Sequence, residues 1–196
     1  MNFSILTEFE NLLCKYTGAP YCVLTDSCTH AIELCMRYEN IKSVRMPKHT
    51  YVSALMVLHK LGIAVDFNDN VWQYEYNYSG TRIWDSARGL QWGMYRPGAM
   101  QCLSFGHTKR LEIGHGGAIL LGNKDEYDQI KRMAYDGRDL SIVPWQNQES
   151  WCVGYHYNMR LEDAAKGIHM LNDHQLKPLE TQLVEYPDVS VLNIEV

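Results

Sequence analysis

Apolar positions recur along the chain in two rhythms, one close to 3.6 residues and one of short continuous runs. Phe9, Leu12, Leu13 and Tyr16 follow helical spacing, with Thr7 and Glu10 reading as a capping box ahead of them and Gly18 stopping the turn. Residues Tyr21 to Leu24 form a compact apolar strand, after which Ser27 can cap a helix whose inward stripe is Ala31, Leu34, Cys35 and Tyr38. The unit repeats, with a strand over residues 43–45, a helix face of Tyr51, Ala54, Leu55 and Leu58, and a strand over residues 63–67. Further strands are expected over residues 81–85, 100–105 and 118–121, and a helix over about 124–135. A last helix should turn Leu161, Ala164, Ala165 and Ile168 inward. Such alternation predicts an α/β domain with a mostly parallel sheet flanked by helices.

One stretch breaks the rhythm. Trp72, Tyr74, Tyr76 and Tyr78 fall on alternate positions with polar residues between them, which is the period of a strand with one aromatic face. Packing of an edge strand on the core is the simpler reading, and a half-exposed substrate or partner surface the other. From Lys177-Pro178 onward the chain reads as a terminal extension.

Composition narrows the classes. With 196 residues, 46% hydrophobic content and a net charge of -5, the chain has enough apolar material for one mildly acidic globular domain. No apolar run approaches the roughly 20 residues that span a bilayer. The first residues lack the charged and apolar regions of a signal peptide, so a cytoplasmic setting is expected. The six cysteines (Cys14, Cys22, Cys28, Cys35, Cys102, Cys152) include no C-x-x-C pair and read as small buried hydrophobes rather than disulfide partners. Lys109-Arg110 and Lys131-Arg132 are the only basic doublets, which gives no signal for a nucleic-acid backbone. No metal site is expected.

The segment with the most chemistry is Ser104-Phe105-Gly106-His107-Thr108-Lys109, followed by Gly114-His115-Gly116-Gly117-Ala118. A lone lysine among Ser, His and Thr between two apolar runs suggests a pocket holding a reactive amine. The strand-to-helix turn at Ser27 offers unpaired N–H groups and a positive dipole end, an invitation to an anion. On residue type alone, Asp85 reads equally as a helix cap, Tyr51 as a core tyrosine and Asn158 as a turn residue.

Six stations stand in a fixed order: Leu24-Thr25-Asp26-Ser27-Cys28-Thr29-His30-Ala31, Met46-Pro47-Lys48-His49-Thr50-Tyr51-Val52-Ser53, Asp85-Ser86-Ala87-Arg88-Gly89, Ser104-Phe105-x-x-x-Lys109, Gly114-x-Gly116-Gly117-Ala118 and Gly154-Tyr155-His156-Tyr157-Asn158-Met159. Over roughly residues 5 to 175 the chain resembles the DegT/DnrJ/EryC1/StrS family of sugar aminotransferases. The resemblance implies a type-I pyridoxal-phosphate-transferase-like large domain, reduced in size. It implies a cofactor-binding domain over residues 1–176, with residues 177–196 a C-terminal extension in place of the family's small domain.

By the same resemblance, Lys109 is the Schiff-base lysine and proton shuttle, and Asp85 the carboxylate that pairs with the pyridine nitrogen of pyridoxal 5'-phosphate. Ser27, Cys28, Thr29 and Ala31 would open the phosphate cradle, Ser104 would add a hydroxyl, and Tyr51 would stack on the cofactor ring. Asn158 matches a position that reaches the phosphate of a neighbouring subunit, which implies a homodimer with a shared active site. The implied reaction moves an amino group from an amino acid, glutamate being the family's usual donor, to a nucleotide-linked keto sugar.

Some positions depart from the family. Arg88 stands where Gln or His is usual near the cofactor's phenolic oxygen; its fixed charge would lower the basicity of that oxygen, or bind a substrate carboxylate or phosphate. Cys28 replaces a common glycine and His115 the usual Glu. The chain is short, and between Asp66 and Asp85 it has room only for the aromatic stretch where the family has a further strand and helix. Two other functions stay open: a pyridoxal-phosphate-dependent decarboxylase or amino-transfer enzyme on another nucleotide- or amino-acid-linked substrate, and a non-catalytic relic that binds a partner.

Overall fold

The computed structural model describes residues 4–179, 183 and 185–194. Alternating elements build it: α1 (Ser4–Thr17), β1 (Tyr21–Thr25), α2 (Cys28–Tyr38), β2 (Ser43–Pro47), α3 (Val52–Lys60), β3 (Ala64–Asn68), β4 (Tyr76–Asn77), β5 (Ile83–Asp85), β6 (Met100–Ser104), β7 (Gly117–Leu121), α4 (Lys124–Ala134) and α5 (Leu161–Asn172). Five strands form one sheet in the order β1-β7-β6-β5-β4, and β2 and β3 pair separately.

The pairing is mixed rather than mostly parallel. β5 runs parallel to β6, and β2 to β3, whereas β7 is antiparallel to both β1 and β6, and β4 to β5. Consequently β1, β5 and β6 point the same way and deliver their carboxyl ends, together with the first residue of β7, to one edge of the sheet. A bridge between Arg45 and Ser79, just beyond β4, ties the two-stranded sheet to the larger one.

The core is continuous. Leu24, Leu103, Ile119 and Leu120 are wholly buried in the sheet, and Ala31, Leu34 and Cys35 are wholly buried on α2. α2 crosses β5, β6 and β7, α3 and α4 lie against it, and α1 packs on β1 and α5. All six cysteines are free, with Cys35 Sγ and Cys102 Sγ 3.7 Å apart in the core.

Three local expectations are corrected. Thr7 lies inside α1, and Glu10, instead of capping, is buried and accepts a 3.1 Å hydrogen bond from the Leu24 N–H while pairing with Lys131. The interior of the domain needed that carboxylate more than the helix end did. Tyr51 stands outside α3 as its N-cap residue and is 61% exposed, so it is no part of the helix's buried face. Of the alternating aromatics only Tyr76 lies in a strand, and Tyr76 and Tyr78 are buried, because β4 adds to the sheet edge with these rings turned inward. On α5, Ala164 is fully buried, while Leu161, Ala165 and Ile168 are half-buried. No helix among the described residues is long and apolar enough to cross a membrane.

Candidate active site

A cavity of about 650 Å³ opens at the edge where β1, β5 and β6 end. Crevices outside the carboxyl ends of strands are where open α/β sheets hold ligands. Ser27, Cys28, Thr29, Tyr51, Asp85, Arg88, Ser104 and Lys109 all line it. Asn158 does not; it is a half-buried residue before α5, outside the cavity of its own chain.

The candidate anion cradle forms at the turn from β1 into α2. Ser27 adopts extended geometry and its hydroxyl oxygen accepts from the His30 N–H at 3.2 Å, so the helix starts at Cys28 as a capped end. Cys28 and Thr29 open the helix, where N–H groups have no intrahelical acceptor. The hydroxyls of Thr29 and Ser53 lie 2.8 Å apart, joining the cradle to the start of α3. A β-carbon on Gly117 would stand 2.5 Å from the Cys28 nitrogen, so only glycine lets β7 begin this close to α2. Burial pushes the Cys28 thiol up, reinforced by the Asp85 carboxylate, so the thiol stays protonated beside the cradle.

Asp85 ends β5 and is 6% exposed. Its cross-strand partner on β4 is Tyr76, whose hydroxyl donates to Asp85 Oδ2 at 3.2 Å, while the Ala87 N–H donates to Oδ1 at 3.1 Å. Burial raises the Asp85 carboxyl, against the opposing effects of the Ala87 N–H, the Lys109 charge and the Tyr76 hydroxyl. The Tyr76 hydroxyl also receives a 3.1 Å hydrogen bond from the Thr50 hydroxyl. A buried carboxylate held this firmly, with its charge offset by neighbours, is suited to a cationic partner on the cavity side.

Lys109 sits in the connection from β6 to β7. Its N–H donates to the Gly106 carbonyl at 3.0 Å, closing a tight turn, and bridges from Gly106 to Gly114 and from Ser27 to Gly116 pin both ends of the loop against the cradle. His107 and His115 line the same wall. Arg88, three residues beyond β5, donates from Nη1 to the Gln73 carbonyl at 3.0 Å, which holds its guanidinium at the cavity margin.

Sequence patterning gave no individual site role to several lining residues. Thr50, Ser53, Trp72 and Tyr186 line the cavity, and Tyr76 stands behind Asp85. Tyr76 and Trp72 belonged to the aromatic alternation, but the pairing of β4 with β5 that places Tyr76 opposite Asp85 is a tertiary fact. Tyr186 lies beyond Lys177, in the stretch read as an extension.

The DegT/DnrJ/EryC1/StrS aminotransferase family model matches residues 3–78 and 86–183. The chain belongs to this family. Family membership carries the resemblance from six motifs to most of the chain, although the interval between the two matched stretches contains β5 and Asp85 themselves. Among solved structures, NtdA from Bacillus subtilis with bound cofactor PMP is 18% identical, with a TM-score of 0.71 over 85% of this chain and 47% of its own. A DegT DnrJ EryC1 StrS aminotransferase from Brucella abortus is 17% identical, with a TM-score of 0.69 over 86% of this chain and 59% of its own. DesI in the presence of its TDP-sugar product is 18% identical, with a TM-score of 0.68 over 89% of this chain and 54% of its own. The type-I large-domain fold is thereby established, in a chain that spans less than three-fifths of the length of these structures. No curated protein matches the sequence.

Proposed function

We propose that this chain binds pyridoxal 5'-phosphate in the 650 Å³ cavity and transfers an amino group from an amino acid to a nucleotide-linked keto sugar. The observation that carries the reading is that Lys109, Asp85 and the capped N-terminus of α2 open onto one cavity. The donor set fits the cofactor. A helix N-terminus with Ser27, Thr29 and Ser104 suits a phosphate, and a buried carboxylate at Asp85 suits a protonated ring nitrogen.

When bound, the cofactor supplies a carbonyl for an amine and an electron sink for the substrate carbon. Asp85 holds a proton on the ring nitrogen, with Tyr76 and Ala87 fixing its two oxygens. Lys109 would take a proton from the substrate carbon and return it on the other side of the nitrogen, its backbone held by the turn from Gly106 at the cavity it lines. The α2 N-terminus binds the phosphate and so orients the ring. Tyr51, exposed at the cavity it lines, would stack on the ring, and Arg88 would present a fixed positive charge to an acidic group of the bound molecules.

Asn158 serves this scheme from a second copy, making the working unit a homodimer with a shared site. Supporting that arrangement, Tyr51, Val52 and Met56 leave apolar surface exposed at the start of α3. A monomeric mass at working concentration together with full cofactor occupancy would sink it.

The test is the visible spectrum of the purified chain with added pyridoxal phosphate, beside Lys109→Ala, followed by glutamate. A band that requires Lys109 and shifts to the pyridoxamine form with glutamate is expected. A Lys109-dependent band that ignores glutamate would move the reaction to decarboxylation or another amino-group chemistry. Absence of any such band would leave a non-catalytic binding protein.

A further inference from the structure

The chain beyond Lys177 returns to the cavity. Val189 is 1% exposed and its N–H donates to the Lys48 carbonyl at 2.8 Å, while Asp188 bridges to His49 and lies 3.9 Å from Lys48 Nζ. Asp188 also accepts from the Ser190 N–H at 2.9 Å, closing a short turn. This anchoring fixes Tyr186, whose carbonyl accepts from His49 Nδ1 at 3.1 Å. Its ring stacks on Trp72 with centroids 5.4 Å apart and planes 12° from parallel.

Trp72 is itself held, since its indole N–H donates to the His49 carbonyl at 2.8 Å and its ring meets Tyr76 edge-on at 5.0 Å. A row of rings therefore runs from Asp85 through Tyr76 and Trp72 to Tyr186. Trp72 and Tyr186 line the cavity, two rings out from the carboxylate. A group resting on Tyr186 is set apart from Asp85 by the rings of Tyr76 and Trp72. A pre-stacked pair of aromatic rings, held through the Tyr186 carbonyl and the Trp72 indole N–H, both hydrogen-bonded to His49, is a rigid apolar platform suited to a flat ring rather than to a charged or flexible group.

We infer that Tyr186, backed by Trp72, is a specificity-determining platform for the heteroaromatic base at the remote end of a nucleotide-linked acceptor, an inference that rests on the acceptor class proposed above. The platform uses binding energy far from the reacting carbon to position it. It comes from the segment that follows the large domain in the same chain.

The test uses the full chain and calorimetric titration with uridine, thymidine and guanosine diphosphates, with inorganic pyrophosphate as the base-free control. At least one nucleoside diphosphate should bind more tightly than pyrophosphate. Tyr186→Ala should weaken that nucleotide by about tenfold, as expected for one lost stack, while leaving pyrophosphate unchanged. Tyr186→Phe should keep the affinity, and Tyr186→Leu, which preserves apolar packing on Trp72, should lose it. The inference is overturned if no nucleoside diphosphate exceeds pyrophosphate, if alanine and leucine both leave the nucleotide unaffected, or if pyrophosphate weakens in parallel. The Lys109-dependent band with pyridoxal phosphate, measured on the same samples, separates the two proposals: its absence beside a Tyr186-dependent nucleotide affinity overturns the cofactor reading and leaves the platform standing.

Discussion

Gly117 and Cys28 meet so closely that a β-carbon on the glycine would lie 2.5 Å from the Cys28 nitrogen and 2.8 Å from the Leu103 carbonyl oxygen. These two contacts, and a third at 2.5 Å to the Ser27 carbonyl carbon, are all backbone, which cannot swing aside as a side chain can. Gly117→Ala should therefore push α2 away from β7, destabilising the fold by about 1–3 kcal/mol in urea titrations. Because the displaced element is the proposed anion cradle, pyridoxal phosphate affinity should fall in the same variant. A stable Gly117→Ala protein with unchanged cofactor affinity would show that the cradle does not depend on this approach.

Asp85 carries a structural cost beside the use proposed for it. Its carboxyl is raised by burial, so the folded state binds a proton more tightly than the unfolded chain, whose ordinary value is 3.8. Stability contributed by this group is full below that value and falls as pH rises through the higher folded value. Asp85→Asn keeps the volume and removes the charge. The cofactor-free variant should be as stable as the parent at low pH and more stable near neutrality, by about 1 kcal/mol, a common exchange of function for stability. Cofactor affinity should drop by at least tenfold, since losing a buried charged partner costs about 2 kcal/mol or more. Thermal unfolding with and without cofactor reads both changes.

Much of this site was legible because its residues announce themselves locally. Ser27 caps a helix directly after an apolar strand, and Lys109 is an isolated amine in a polar loop, so short-range pattern located both. What was hidden depends on pairing across the chain. Tyr76 acquires its place only when β4 sets it opposite Asp85, and Tyr186 only when Val189 buries itself against Lys48. The mostly parallel sheet was likewise misjudged at β7 and β4, since strand direction follows from connections that periodicity does not encode. Glu10 read as a capping residue by spacing alone, yet the Leu24 N–H and Lys131 claim it in three dimensions.

Tyr51 is the most exposed of the predicted cofactor contacts, at 61%. A residue that solvent reaches this freely contributes little to the fold, so Tyr51→Ala should leave the melting temperature of the cofactor-free protein nearly unchanged. If it covers the cofactor ring, its removal costs on the order of 1 kcal/mol of binding. Spectroscopic titration of pyridoxal phosphate into the variant measures this directly, and an unchanged dissociation constant would remove Tyr51 from the site.

Behind the cradle, Glu33 ties α2 to α3. Its side chain, 1% exposed, accepts from Lys60 at 2.9 Å, from Arg37 at 2.8 Å and from the Tyr157 hydroxyl at 3.1 Å. Tyr157 in turn stacks on His30 at 3.6 Å, and its carbonyl accepts from the Asp26 N–H beside Ser27. Burial alone would raise the Glu33 carboxyl, but the hydrogen bonds from Lys60 and Arg37 prevail and hold it below its ordinary 4.5. A depressed carboxyl stabilises the fold above its unfolded value, and that stability is lost as pH falls through the folded value. Lys60→Met should cost about 1 kcal/mol near neutrality, because Lys60 is half exposed and Arg37 still serves the carboxylate. The difference between parent and variant should shrink once pH falls below 4.5, as the carboxylate both proteins share becomes protonated. Urea unfolding on either side of that pH decides the matter: a gap that stays constant would mean that Lys60 acts through packing on Tyr157 rather than through charge.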